Sequence, residues 1–482
     1  MTAAGLLPHI RCGKTGLKPE QLQGRRPNII LVMPDDQGYG DLACHGNPVL
    51  KTPQLDALYA HSLRFTKFQV SPTCSPTRSC LMTGRHEFKN GVTHTLGERE
   101  RLAQSSVTIA EVLKQAGYAT GIFGKWHLGD EDDYQPERRG FDETFIHGAG
   151  GIGQNYPPTS CADVPPNQEN RYFDPVIKHN GTFVKTKGFC SDVFFRQALG
   201  WINQQRQGEK PFFAYIVTNA PHAPFIAPDK YKQRFLDLDL PKGLPGFYGM
   251  IENIDDNMSL LINKLAEWGL EEDTLLIFMT DNGTSAGHAI YNAGMKGNKG
   301  TPEEGGTRVP AFFSWKGVLP EGTDVDRLTA HIDLFPTLAA LAGVDLPSNG
   351  QVEGRSLLPL LQNQGTEWTD RFLFTHLGRW KKGTDPDLAK FKQCAVRSDR
   401  FRFVNNSELY DMSADPGQTT DVIEKYPEIV QKMRSAYDVW WREARALMVN
   451  EEVVYEGVAP FIKNYQKQLQ TQGIPDWKPP LF

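Results

Sequence analysis

The chain has 482 residues, 52 Lys+Arg against 57 Asp+Glu for a net charge of −5, and 39% hydrophobic residues. That balance, with no Lys/Arg run longer than two, leaves no electrostatic footprint for nucleic acid, and no stretch of about 18 uninterrupted apolar residues is there to span a membrane. The length allows two or three domains, or one large α/β domain with an appendage, and a core that needs no disulfide or metal staple.

Residues 1–25 read as an N-terminal extension. No basic segment leads into an apolar one there, so no signal peptide is visible; a chain starting downstream of one would look the same. Residues 28–33 (NIILVM) are a continuous apolar run, the pattern of a strand buried on both faces. Thr52 offers an N-cap, with Pro53 at the first helical position and Leu55 and Leu58 opening an apolar stripe. Thr108 and Glu111 make a capping box for a helix that Gly117 stops. Residues 119–123, 211–218, 274–280 and 309–315 read as further strands. A helix over 250–268 carries Ile254, Met258, Leu261, Leu265 and Trp268 as core. Between residues 148 and 190 the pattern dissolves into Gly, Pro, Asn and aromatics, a long loop that is functional or disordered. After residue 365, short strands (RFLFTH, CAVRSD, FRFVNN, ELYDM) precede a helix over 426–447. Strands alternating with helices predict an α/β domain over 26–365, a large, mixed but mainly parallel sheet sandwiched by helices, and a smaller α+β subdomain over 366–482.

In open α/β sheets, ligands gather outside the carboxyl ends of the strands. After the first strand stand Asp35 and Asp36; after 119–123, Gly124, Lys125, Trp126 and His127; after 211–218, Asn219 to His222; after 274–280, Asp281 and Asn282. Singly, each has a structural reading: an Asp–Asn–Gly turn, aspartates capping a helix, a satisfied histidine. Four at corresponding positions fit turns poorly. Asp35, Asp36, Asp281 and the Asn282 amide oxygen form a hard, all-oxygen set that suits Ca²⁺ or Mg²⁺ rather than Zn²⁺. Ca²⁺ is favoured where no phosphate-bound waters complete an octahedron.

The sharpest local feature is Cys74-Ser75-Pro76-Thr77-Arg78, continued by Ser79-Cys80-Leu81-Met82-Thr83-Gly84-Arg85. The five-residue pattern alone arises from this composition in roughly one chain in twenty; the continuation tightens it. This segment resembles the signature of the type I sulfatases, alkaline-phosphatase-like enzymes in which a dedicated maturation enzyme oxidises the cysteine to Cα-formylglycine. The other motifs resemble that family's in the same order. They are Asp35-Asp36, Gly124-Lys125-Trp126-His127-Leu128-Gly129, Pro221-His222-Ala223-Pro224, Asp281-Asn282, and Lys299-Gly300 ahead of the run from Glu304 to Pro310. The run from Glu408 to Asp411 and Asp415-Pro416 extend the likeness, which covers the chain from Arg26 onward except the loop between 148 and 190.

The resemblance implies one Ca²⁺ per chain, with Mg²⁺ second, held by Asp35, Asp36, residue 74, Asp281 and Asn282. It implies a catalytic set of Cys74 as formylglycine, Arg78, Lys125, His127, His222 and Lys299. The three cations would face a dianionic product. One hydroxyl of the aldehyde hydrate would attack sulfur, and the second would lose its proton and expel sulfate. His222 with Lys299 would protonate the leaving alcohol, while His127 would assist deprotonation of the hydrate or only position the site. Gly84 would end a helix starting near Pro76, putting residue 74 near a helix N-terminus, where a sulfate is favoured.

The implied substrate is a sulfated carbohydrate, with aryl sulfates as artificial ones, and the C-terminal subdomain would contribute to its pocket. Two alternatives stay open: a phosphonate monoester or phosphodiester hydrolase of the same superfamily, and a binder of sulfated glycans whose Cys74 is not matured. Trp201 with His376, Arg379, Trp380, Lys381 and Lys382 suits sugar faces and further sulfates, or equally a solvated basic loop. Family members imply a periplasmic or secreted location. With Cys74 converted, the seven cysteines leave six, Cys12, Cys44, Cys80, Cys161, Cys190 and Cys394, and Cys161 with Cys190 is the first pair to consider.

Overall fold

The computed structural model describes residues 22–152, 172–362, 368–451, 453 and 460–482. The apolar run at its start becomes β1 (Asn28–Val32), in the middle of a ten-stranded sheet. The other strands are β2 (Leu63–Gln69), β3 (Ala119–Lys125), β4 (Glu143–His147), β5 (Val176–His179), β6 (Thr182–Lys185), β7 (Phe212–Val217), β8 (Thr274–Met279), β9 (Ala311–Ser314) and β10 (Thr323–Ala330). Their order is β10-β2-β9-β8-β1-β7-β3-β4-β5-β6. The pairs β1/β7, β1/β8, β3/β7, β3/β4 and β2/β10 are parallel, whereas β9 and β5 run against both neighbours. This is the mixed, mainly parallel sheet expected from the sequence.

Helices α1 (Pro53–Ala60), α2 (Cys74–Thr83), α3 (Ile109–Gln115), α4 (Cys190–Gln205), α5 (Asp229–Leu236), α6 (Leu244–Glu267), α7 (Glu304–Thr307), α8 (Leu334–Ala342) and α9 (Leu358–Leu361) connect and flank these strands. Alternate strand residues face opposite sides. Ile29, Leu31, Phe213, Tyr215, Leu275 and Ile277 join a core with α3 and α8. Ile30, Val32, Ala214, Ile216, Leu276 and Phe278 join a second core with α4 and α6. Each fully buried large apolar side chain of this kind contributes about 1.5–3 kcal/mol, so the middle strands are firmly held. Their carboxyl ends inherit that rigidity.

Beyond the large sheet, β11 (Leu373–His376), β12 (Cys394–Arg397), β13 (Phe401–Val404) and β14 (Glu408–Asp411) form an antiparallel sheet packed against α10 (Pro427–Arg445). Helix α11 (Pro460–Thr471) and Trp477 return to the far edge of the large sheet, where Phe461 and Tyr465 pack on Phe183 of β6. Among the described residues, no helix is long and apolar enough to cross a membrane.

Several local expectations are corrected. The strand predicted over 119–123 runs to Lys125, and α6 starts at Leu244 rather than residue 250. Gly246, inside this longer helix, lets it approach the Phe225 carbonyl, where a Cβ would lie 1.9 Å from the oxygen. The Thr108–Glu111 capping box forms, but the Thr52 hydroxyl does not cap α1: it donates to Asp56 and accepts from the Ala43 N–H. Part of the presumed loop between 148 and 190 is the β5/β6 hairpin. Cys161 lies outside the described residues, so its pairing with Cys190 is not addressed. Trp201 is no sugar platform: it is buried on α4 against Phe123 and Phe212. His376 is likewise interior, beside Phe88 and Trp441, because β11 turns it toward α10.

Candidate active site

Every predicted site residue comes to one edge of the large sheet. Beyond β1, Asp35 and Asp36 are buried, and the Asp35 N–H donates to the Ala220 carbonyl beyond β7. Asp36 adopts φ 67°, which turns its N–H onto Asp281 Oδ1 at 3.0 Å beyond β8. Gly124 on β3 has φ 119°, and a Cβ there would lie 1.8 Å from the Val217 carbonyl oxygen. Glycine is required for β3 to close on β7 beside Lys125.

Three cations meet three carboxylates. Lys125 Nζ is 2.5 Å from Asp35 Oδ2, Lys299 Nζ 2.6 Å from Asp36 Oδ2, and Arg78 Nη2 3.0 Å from Asp281 Oδ2. Arg78 Nη1 also donates to the Lys125 carbonyl at 2.7 Å, tying α2 to β3. Cys74 is the first residue of α2, two residues earlier than the predicted start, and Gly84 ends the helix at φ 71° as expected. Ligand atoms of Asp36, Cys74 and His222 lie within 4.8 Å of one another, as do those of Asp35, Cys74 and Asp281. The sulfur therefore sits where the two acidic groups converge.

Burial dominates the electrostatics. It pushes the Asp35 and Asp281 carboxyls upward despite Lys125 and Arg78. Burial also acts on Asp36, but Lys299, His222 and Lys125 outweigh it and hold that carboxyl below its usual range. The Cys74 thiol is lowered because Lys125 and Lys299 overcome the burial effect. Burial, with Lys125, holds His127 down to about 4. His222 is also lowered by burial, with Asp36 opposing. Its Nδ1 donates to the Ala223 carbonyl at 2.7 Å, which leaves Nε2 facing Asp36 Oδ2 at 3.7 Å.

Asp35 Oδ1 and Asn282 Oδ1 are buried and have no hydrogen-bond partner among the described residues. The Asn282 amide donates to Asp36 Oδ1 at 3.1 Å and to the Gly283 carbonyl at 3.0 Å, which directs its oxygen elsewhere. Orphaned buried acceptors cost about 1–3 kcal/mol each. Two of them beside converging carboxylates fit a hard cation, and the residues expected to hold one are compatible with it.

Sequence reasoning missed the wall of the site. Thr95 and Glu100 flank His127, and Arg99 donates to the Gly378 and Trp380 carbonyls, laying the segment after β11 against that wall. Lys382 pairs with Glu98, while Arg379 and Lys381 are exposed. The run Gly97-Glu98-Arg99-Glu100-Arg101 looks like a solvated charged face, so no signal in it pointed to the site.

A family model described as Sulfatase matches residues 27–344, and one described as N-sulphoglucosamine sulphohydrolase, C-terminal, matches residues 299–439. The N-acetylgalactosamine-6-sulfatase of Canis lupus familiaris is 30% identical over 492 residues, covering 94% of this chain and 90% of the relative. Arylsulfatase A of Homo sapiens is 33% identical over 423 residues, covering 81% of this chain and 78% of the relative. The solved structure of Ps i-CgsB in complex with k-i-k-neocarrahexaose is similar with a TM-score of 0.77 at 28% identity, covering 93% of this chain and 98% of that one.

Proposed function

Because the chain belongs to the sulfatase family and is a sulfuric ester hydrolase, we propose that it removes sulfate from a sulfated carbohydrate at the site around Cys74. The observation that carries this reading is the convergence of Cys74 with three buried carboxylates and three buried or nearly buried cations. Asp35, Asp36, Asp281 and Asn282, with residue 74, would hold one Ca²⁺, which supplies Lewis-acid polarisation and charge neutralisation when bound. Formylglycine at position 74 supplies a nucleophile that can clear itself after each turnover, which a thiol cannot.

The chain's own residues do the rest. With all three carboxylates ionised they balance Arg78, Lys125 and Lys299, so a divalent cation and the monoanionic sulfate ester would leave one positive charge, which the dianionic sulfate product would neutralise. Arg78 and Lys125, fixed by their bonds to Asp281 and Asp35, neutralise sulfate oxygens without reorganising. With its Nδ1–H held by the Ala223 carbonyl, His222 would first take a proton on Nε2, and that imidazolium, with Lys299 nearby, would protonate the departing alcohol oxygen. His127 Nδ1 is buried and has no hydrogen-bond partner among the described residues, which suits it to accept a proton from residue 74. The N-terminus of α2 adds its positive end to the sulfate pocket.

A carbohydrate substrate is supported by the relatives, an N-acetylgalactosamine-6-sulfatase and a structure holding a neocarrahexaose. The C-terminal unit after residue 365 would line the pocket through the segment bearing Arg379, Lys381 and Lys382. The location proposed is periplasmic or secreted, and a formylglycine-generating enzyme is the expected maturation partner. Assaying one preparation with a sulfate ester and a phosphonate monoester tests the reaction class: the sulfate ester should turn over faster, and the reverse order overturns it. Peptide mass spectrometry over residues 71–78 should find an aldehyde at position 74; an intact thiol in protein isolated from its native organism would favour the glycan-binder reading.

A further inference from the structure

Glu100 stands in a charged run yet is only 4% exposed. Its Oε2 lies 3.2 Å from His127 Nε2, and both side chains are buried. The Thr95 carbonyl oxygen is 3.1 Å from the same nitrogen. Both neighbours are acceptors, so Nε2 carries the hydrogen and Nδ1 holds the lone pair. Nδ1 is buried without a hydrogen-bond partner among the described residues. Ser75 Oγ donates to the Glu100 carbonyl at 3.4 Å, which fastens this turn to the helix residue next to Cys74.

The two acceptors do different work. The Thr95 carbonyl is aligned with the N–H and is enough to select the tautomer. Burial pushes the Glu100 carboxyl up, with His127 opposing, and in its ionised form Glu100 adds a negative charge. Burial and Lys125 disfavour a charged imidazole here, with Arg78 adding to them and Glu100 opposing all three. His147 is also close to His127 in charge terms, and Asp130 and Glu131 face Glu100. Among the described residues, the carboxylate that opposes these effects on a charged His127 is Glu100.

We propose that Glu100 is a positioning residue that forms a carboxylate–imidazole dyad with His127, stabilising the imidazolium that forms when Nδ1 takes a proton from a hydroxyl of matured residue 74. This rests on the reading of His127 as a proton acceptor. In that step the O–H pair becomes the second bond of the aldehyde carbonyl. The carbon–oxygen bond from residue 74 to the sulfate oxygen breaks, and sulfate leaves with the electron pair of that broken bond. The proton stays on Nδ1 until water removes it, and Nε2–H keeps its contacts throughout.

The test compares Glu100→Gln, Glu100→Asp and His127→Gln in the full chain, matured and loaded with Ca²⁺, on a chromogenic aryl sulfate. Glu100→Gln should lower kcat about tenfold or more with KM changed less than about twofold. Glu100→Asp should recover part of the loss. The acid limb of the kcat profile should move to lower pH, since loss of the carboxylate makes the imidazole harder to protonate. A second readout does not depend on turnover: histidine-selective ¹⁵N NMR, with the His127 signal assigned by its disappearance in His127→Gln. Nδ1 should be the bare nitrogen in both proteins, and His127 should protonate at lower pH in Glu100→Gln. Unchanged His127 protonation in Glu100→Gln overturns the dyad, whatever the activity. Wild-type activity in His127→Gln overturns the underlying reading of His127 instead.

Discussion

The contact that ties the C-terminal sheet to the site gives the sharpest stability prediction. Arg402 of β13 is fully buried. Its Nη2 donates to Glu304 Oε2 at 2.7 Å, Gln69 Oε1 at 2.8 Å and Thr307 Oγ1 at 3.1 Å, and its Nη1 donates to the Pro302 carbonyl. Arg397 Nε adds a longer approach to Glu304 at 3.5 Å. Burial would raise the Glu304 carboxyl, but Arg402 and Arg397 hold it at about 2 against an ordinary 4.5. At about 1.4 kcal/mol per pH unit, that difference is worth about 3 kcal/mol. The guanidinium does not gain equally: burial outweighs Glu304 and takes Arg402 down to about 10, still charged at neutral pH. The one-sided cost of losing Arg402 is therefore larger than the net worth of the pair.

Arg402→Met should destabilise the protein by about 3–5 kcal/mol, the range for stranding one partner of a buried ion pair. At about 2 °C per kcal/mol for a large chain, the apparent Tm falls by roughly 6–10 °C at a fixed scan rate. Glu304→Gln should cost a similar amount, and the double variant Glu304→Gln/Arg402→Met should recover at least half of it. Differential scanning calorimetry on the four proteins reads this directly. Tm shifts below about 2 °C, or single losses that simply add in the double variant, would refute the reasoning. Pro302 closely follows Lys299, so Arg402→Met should also slow turnover at temperatures where it stays folded.

Other consequences follow from the same geometry. Because the Glu304 carboxyl is lowered, its contribution is complete above about pH 4.5 and is lost as pH falls toward about 2. The Tm gap between wild type and Glu304→Gln should close over that window and stay constant between pH 5 and 8. Gly124→Ala forces a Cβ onto the Val217 carbonyl oxygen, so it should cost at least about 3 kcal/mol and abolish activity by displacing Lys125; a soluble variant with normal Tm would contradict this. Chelation with EDTA should remove activity, and Ca²⁺ should restore it better than Mg²⁺ while raising Tm in a concentration-dependent way. A Tm indifferent to both ions would count against a cation between the Asp35 and Asn282 oxygens.

The sequence by itself determined the parts set by short-range rules. Apolar runs too unbroken to face water had to be buried strands, and their ends delivered Asp35, Lys125, His222 and Asp281 to one edge by topology alone. Gly84 and the Thr108–Glu111 box marked helix limits because capping is local chemistry. Tertiary structure decided what depends on neighbours far along the chain. Thr52 looked like a cap, but its hydroxyl found Asp56 and Ala43. Strands β2 and β10 carry mixed polar residues, and only their place in the sheet makes them strands. Trp201 and His376 looked like surface ligands until packing buried them. Glu100, inside a run that reads as solvated, became a buried partner of His127 because contacts from distant segments, those of Ser75, Leu128 and Gly378 among them, hold that turn against the site. Local pattern fixes which residues can be interior; only the assembled sheet and its covering loops fix which charges meet there.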